Sequence, residues 1–224
     1  MWTKDTCLRF QRQNHFEGIS DVETLKRYVQ GQDLLIVQAK GGCWSSLGKA
    51  GGLQQISLAD ACETKSIAAH EIGHTLGFYH TMSRHDRNDH IIVNVENIQK
   101  YWVSLFEWKS SEMNHNFGLD YDYDSIMRYR ASDAAINPEL PTLTPYDKDY
   151  RETLGSPFVS FIDALMLNKL YGCDSELAEL ISLRESCYAG VPHMSHNVGA
   201  LSASIGRTYS RNLLYYQELQ SSKV

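Results

Sequence analysis

No run in this chain is long and apolar enough to span a bilayer, so it carries no transmembrane helix. It has no Asn-x-Ser/Thr acceptor and no internal repeat of the kind that marks solenoids and propellers. Basic charge is short as well. Lys and Arg number 21 against 27 Asp and Glu, a formal charge of -6, whereas a nucleic-acid partner asks for a basic surface. What is present is 42% hydrophobic residues over 224, enough for the core of one domain, or one domain and a tail. Five cysteines point to an oxidising compartment. Their spacing assigns no bridges, and reduced, buried thiols are the alternative reading.

The stretch from His70 to His80 is the most informative in the chain: His-Glu-Ile-Gly-His-Thr-Leu-Gly-Phe-Tyr-His. His70 and His74 project from one face of a helix and can grip one ion. Glu71 points toward the neighbouring position, where a metal-held water would sit. Gly77 takes positive φ cheaply, ends the helix and swings His80 back as a third ligand. Three protein nitrogens leave a coordination position open, the mark of a catalytic rather than a structural zinc. HExxH alone also arises in helices that hold no metal, but the extended HExxHxxGxxH needs a glycine and a third histidine in register. Ile67, Ala68, Ile72 and Leu76 suit the buried side of this helix.

Ser125-Ile126-Met127-Arg128-Tyr129 lies about fifty residues downstream, where metzincin peptidases carry the methionine turn beneath the zinc. Core packing is the plain alternative for Met127, and a role it would also play in the turn. Further stretches fall in order: Thr6-Cys7-Leu8-Arg9-Phe10, Gly42 to Gly48, Arg84, Asp86 and Arg87, Asn97-Ile98, Tyr121-Asp122-Tyr123, Pro141-Thr142, and Leu170 to Cys173. With these the chain from Thr6 to Cys173 resembles the astacin family of zinc endopeptidases. Matrixins and adamalysins fit less well, because they lack a tyrosine two residues beyond the turn methionine.

The resemblance implies one Zn2+ per chain, held by His70, His74 and His80, and a protein or peptide substrate. Zinc as a Lewis acid brings its water toward neutral pKa, and Glu71 serves as general base, later delivering the proton to the departing amine. Tyr129 is implied as a further ligand at rest that swings away to stabilise the oxyanion; a packed aromatic beside the turn is its alternative. Disulfides Cys7–Cys173 and Cys43–Cys62 are implied too, the first tying an early strand to the end of the last helix. The segment Cys43–Gly48 is implied as a strand edge to which an extended peptide adds, with Trp44 either near that edge or covering core. A secreted, extracellular location follows from disulfides and family, although the chain shows no signal peptide.

Departures from the family pattern accompany the matches. The first strand, most of a long helix, a propeptide and a signal peptide that members carry are not in this sequence, so an N-terminally truncated form is expected. Thr81 stands where members have a glutamate that meets the buried mature N-terminus, and Asp124 and Arg128 replace a glycine and a histidine. A non-catalytic relative acting as a protein-binding or decoy module is therefore the alternative function, but a pure binding module has no need of Glu71.

A pass along the chain places the motifs. Ser20 with Glu23 reads as a capping box before a helix near Val22–Val29. Leu34–Ala39 and Gly52–Ala59 read as strands, Glu63–Tyr79 as the zinc helix, and Val95–Trp108 as a helical stretch capped by Asn94. Residues 114–124 and 130–154 read mainly as loops. Ser156-Pro157 opens a helix with Phe158, Phe161, Ile162 and Leu165 as its stripe, stopped by Gly172. The whole predicts an α+β, metzincin-like, two-lobed catalytic domain over 1–173, with a mixed sheet and zinc helix above a lower lobe rich in helix and loop. Residues 174–224 form a weakly ordered extension without a recognised module; Leu177, Leu180, Ile181 and Leu183 suit a short amphipathic helix. Cys187 is left unpaired. His193 and His196 lack further ligands nearby, and His15, His85, His90 and His115 read as surface residues.

Overall fold

In a computed structural model the chain is described over residues 1–12, 21–28, 33–175, 178 and 180–182. Ser20, His15, Leu177, Leu183, Cys187, His193 and His196 lie outside the described residues. Two compact units are present, Met1–Phe78 and the described residues from Tyr79 onward.

The first unit holds a mixed sheet. Strands β1 (Leu34–Gln38), β2 (Cys43–Ser45) and β3 (Leu53–Leu58) lie in the order β1-β3-β2, with β1 parallel and β2 antiparallel to β3. Before them, helix α1 (Val22–Tyr28) is capped by Asp21, whose carboxylate accepts from the N–H groups of Glu23 and Thr24. The early strand expected at Thr6-Cys7 is a run of bends instead. It is pinned by Thr6 Oγ1 donating to Trp2 O at 2.6 Å. Trp2 is buried, donates to Ala69 O at 2.8 Å and stacks on Phe78.

Helix α2 (Lys65–Thr75) starts at the cap Thr64 and ends four residues short of the expected Tyr79. Gly77, at φ 109°, breaks it by a conformation open chiefly to glycine. Ala68, Ala69, Gly73 and Leu76 are buried, while Ile67 and Ile72 are half-buried. A disulfide joins Cys43 in β2 to Cys62 ahead of α2, as the family pattern implies. Cys7 and Cys173 are each disulfide-bonded as well.

The second unit is mostly irregular. The expected helix over 95–108 is two 3₁₀ turns, Val95–Asn97 and Lys100–Phe106. Tertiary hydrogen bonds take the groups an α-helix would use. Asn94 Nδ2 donates to Pro141 O instead of capping, and Gln99 N donates to Ala134 O. The stretch read as loop contains β5 (Leu143–Pro145), antiparallel to β4 (Ile91–Val93). Met82, Ile91, Ile98, Phe106, Tyr121, Leu143, Tyr150 and Leu154 form the core. Helix α3 (Phe161–Tyr171) starts later than Pro157, because Ser160 and Asp163 make a capping box, and Phe158 is left exposed outside it. Gly172 stops it as expected. The described residues of 174–182 are largely helical, with Leu180 buried and Ile181 exposed. The architecture is the α+β one that the sequence predicts. Among the described residues, no helix is long and apolar enough to cross a membrane.

Candidate metal centre

Helix α2 carries His70, Glu71 and His74 in its C-terminal half. The rings of His70 and His74 meet edge-on at 4.7 Å between centroids. His74 Nδ1–H donates to Phe78 O at 2.7 Å, a carbonyl placed there by the turn at Gly77. That bond fixes the ring and leaves Nε2 as the ligating atom. Burial, with the neighbouring His70 adding to it, lowers the His74 pKa to about 4, so its imidazole is neutral and its lone pair available. With His80 the set closes: one ligating atom from each of His70, His74 and His80 lies within 4.8 Å of the others.

Glu71 is buried, and burial alone pushes its carboxyl up to about 7. Its Oε2 is buried without a hydrogen-bond partner. Three clustered imidazoles, with a buried glutamate next to His70 on α2 whose Oε2 has no partner, make a donor set that fits a zinc ion.

Beyond His80 the chain is held by long-range bonds. Thr81 N–H donates to Met127 O at 2.9 Å, and Met127 is fully buried. Tyr129 lies beside His80 at 4.7 Å between ring centroids and meets Phe106 edge-on at 5.6 Å. Gly155 backs this segment. A Cβ there would come within 3.0–3.1 Å of Arg130 N, Arg128 O and the Tyr129 carbonyl carbon. Arg84 forks onto Asp86 at 2.9 and 2.7 Å and donates to the carbonyls of Leu119 and Asp120. Arg87 donates to Met82 O and Phe106 O.

The profile of the astacin peptidase family matches residues 1–172. The chain belongs to the astacin family. It is 42% identical over 151 residues to zinc metalloproteinase nas-31 of Caenorhabditis elegans, covering 67% of this chain and 24% of that protein. Embryonic protein UVS.2 of Xenopus laevis is 37% identical over 144 residues, covering 63% and 27%. The chain thus spans about a quarter of the length of these two relatives. In structure it resembles high choriolytic enzyme 1, a hatching enzyme zinc-protease of the medaka Oryzias latipes, at TM-score 0.64 and 30% identity, covering 77% of this chain and 78% of that one. Zinc is the metal of the astacin zinc metalloproteinases, and the His70, His74, His80 group suits it.

The sequence singled out His70, His74 and His80, which lie together, Glu71 and Met127, which are buried, and Tyr129, which lies beside His80. It missed Gly155 and Asp163, although Ser160-x-x-Asp163 ahead of an apolar run is itself a cap signal. His85 and His90, read as surface residues, are half-buried. His85 Nε2 pairs with Asn116 Nδ2 at 2.8 Å, and His90 stacks on Tyr121 at 4.5 Å. His115 is exposed, as expected.

Proposed function

We propose that this chain is a zinc-dependent endopeptidase whose catalytic unit is residues 1–173, acting on proteins or peptides outside the cell. One observation carries the reading: the ligating atoms of three imidazoles lie within 4.8 Å of one another, and Glu71, next to His70 on the same helix, is buried with an Oε2 that has no partner. His70, His74 and His80 would hold the ion, which when bound supplies Lewis-acid polarisation of a carbonyl and of water. Glu71, protonating near neutrality in its buried site, takes the proton from the attacking water and passes it to the departing amine nitrogen. Tyr129, beside His80, is the further candidate ligand and donates its phenolic O–H to the oxyanion. Met127 packs beneath.

Strand β2 is the end strand of its sheet. Ser46 N–H donates to Gln55 O and Ala59 N–H to Gly42 O, so even-numbered residues bond β3 and the backbone groups of Cys43 and Ser45 point away from it. That edge suits an extended peptide adding as a further strand, with half-exposed Trp44 on the same strand. Four disulfide-bonded cysteines support an oxidising, extracellular setting.

The test is hydrolysis of a quenched-fluorescent peptide library by the purified, zinc-loaded chain. Turnover that disappears with a zinc chelator and with Glu71→Ala is expected. A folded, zinc-loaded chain without turnover overturns the reading.

A further inference from the structure

Asp163, at the start of α3, does more than cap its own helix. Its Oδ1 accepts from Ser125 Oγ at 2.7 Å, and its Oδ2 accepts from the N–H groups of Ile126 and Ser160, each at 3.0 Å. Ser125 Oγ in turn accepts from Met127 N–H at 3.0 Å, and Met127 O accepts from Thr81 N–H at 2.9 Å. An unbroken run of hydrogen bonds therefore leads from the first turn of α3, through the methionine turn, to the residue after His80. Tyr129 follows two residues after Met127 on the same turn.

A capping box needs only the reciprocal Ser160–Asp163 pair. Such a cap works well at a surface, whereas Asp163 is 3% exposed and a buried carboxylate is costly unless donors surround it. Two of its three donors, Ser125 Oγ and Ile126 N–H, belong to the turn and contribute nothing to the helix. The second buried carboxylate nearby, Asp122, accepts from Ser160 Oγ and Asp124 N–H and bonds no atom of residues 125–127.

We propose that Asp163 is a positioning residue for the metal centre, holding residues 125–127 in the conformation that places His80 and Tyr129. The proposal rests on the peptidase reading above. Asp163→Ala, Asp163→Asn, Ser125→Ala and Ser160→Ala would be loaded with Co2+ and compared with the native chain by d–d absorption spectrum, kcat, KM and thermal melting. Asp163→Ala is expected to change the cobalt spectrum and lower kcat by about 10²-fold with KM nearly unchanged, as for a misplaced reacting group. Asp163→Asn keeps one oxygen for the two N–H groups and an amide to donate to Ser125 Oγ, and is expected to restore most of both signals. Ser160→Ala removes the cap but not the turn contacts, so it is expected to melt earlier with an unchanged spectrum.

A native spectrum and kcat in folded Asp163→Ala, or the same spectral change in Ser160→Ala, overturns the proposal. If Asp163→Ala does not fold, Ser125→Ala decides on the same readouts, and a native result there overturns it. A native chain that takes up Co2+ without turnover overturns the peptidase reading alone, and the spectra still decide on Asp163. A native chain that takes up no Co2+ overturns both.

Discussion

In the unit ending at Phe78, His70, Glu71 and His74 ride on one hydrogen-bonded helix, next to a sheet whose register is set by β3. In the unit beginning at Tyr79, His80, Met127 and Tyr129 sit on chain with almost no regular structure, and buried or half-buried polar side chains do the work of the missing ladders. Arg84 and Arg87 bond the carbonyls of Asp120, Leu119, Met82 and Phe106. Thr142 bonds those of Ala131 and Asp133, and Asn97 those of Asn137 and Leu140. A helix satisfies its own backbone; irregular buried chain must recruit side chains, so each of them becomes specific to its place. A few ligands can be fixed by periodicity, but a turn beneath a metal needs named partners.

The contrast can be broken most sharply at Arg84. Its side chain is 4% exposed, and Arg84→Ala leaves two carbonyls and Asp86 without their donor, so a loss of about 3–5 kcal/mol in urea unfolding is expected. A loss under about 1 kcal/mol would mean that side-chain stapling does not hold the irregular unit. Next comes Tyr129→Phe, which removes only a phenolic oxygen. The expected fall in kcat is about 10²–10³-fold with zinc content intact by mass spectrometry, and unchanged kcat would reduce Tyr129 to a packed aromatic.

The first unit carries a covalent staple between β2 and the segment ahead of α2. Replacing Cys43 and Cys62 by serine opens a loop of separation 19 and should cost about 3 kcal/mol, read as a lower melting temperature. An unchanged melting temperature would show that the sheet and α2 hold without it. The smallest effect is a slope. Burial first, and then Asp163, pushes Asp122 up to about 7 from its ordinary 3.8. Between those values the native state keeps a proton that the unfolded chain has lost, so native stability falls as pH rises. Asp122→Asn removes that titration. Its stability relative to the native chain should therefore rise with pH across that window, by at most about 1.4 kcal/mol per pH unit. Parallel urea profiles at about pH 5 and pH 8 would contradict this.

Legibility followed the same division. Strands β1 and β3 were found within one residue at each end, because a compact apolar run ended by glycines and an alternating segment each signal a strand locally. The zinc helix was right in kind and too long at its end, since the apolar pattern continues past the residue where Gly77 breaks the hydrogen bonds. The stretch from Asn94 has helical spacing at Ile98, Trp102 and Leu105, yet Asn94 and Asn97 spend their amides on residues 137–144 and leave only 3₁₀ turns. Strand β5 escaped notice because three residues between loops carry too short a pattern.

The sequence by itself determined the metal set. Ligands four residues apart on a helix, with a glycine to turn the chain back toward a third, are encoded within one short stretch of backbone. Only the tertiary structure decided what stands behind Met127 and Tyr129, because Ile126 N–H and the Asp163 carboxylate that receives it are 37 residues apart. No period connects two irregular segments at that distance; burial brings them together, and a buried carboxylate is stable only where such donors meet it.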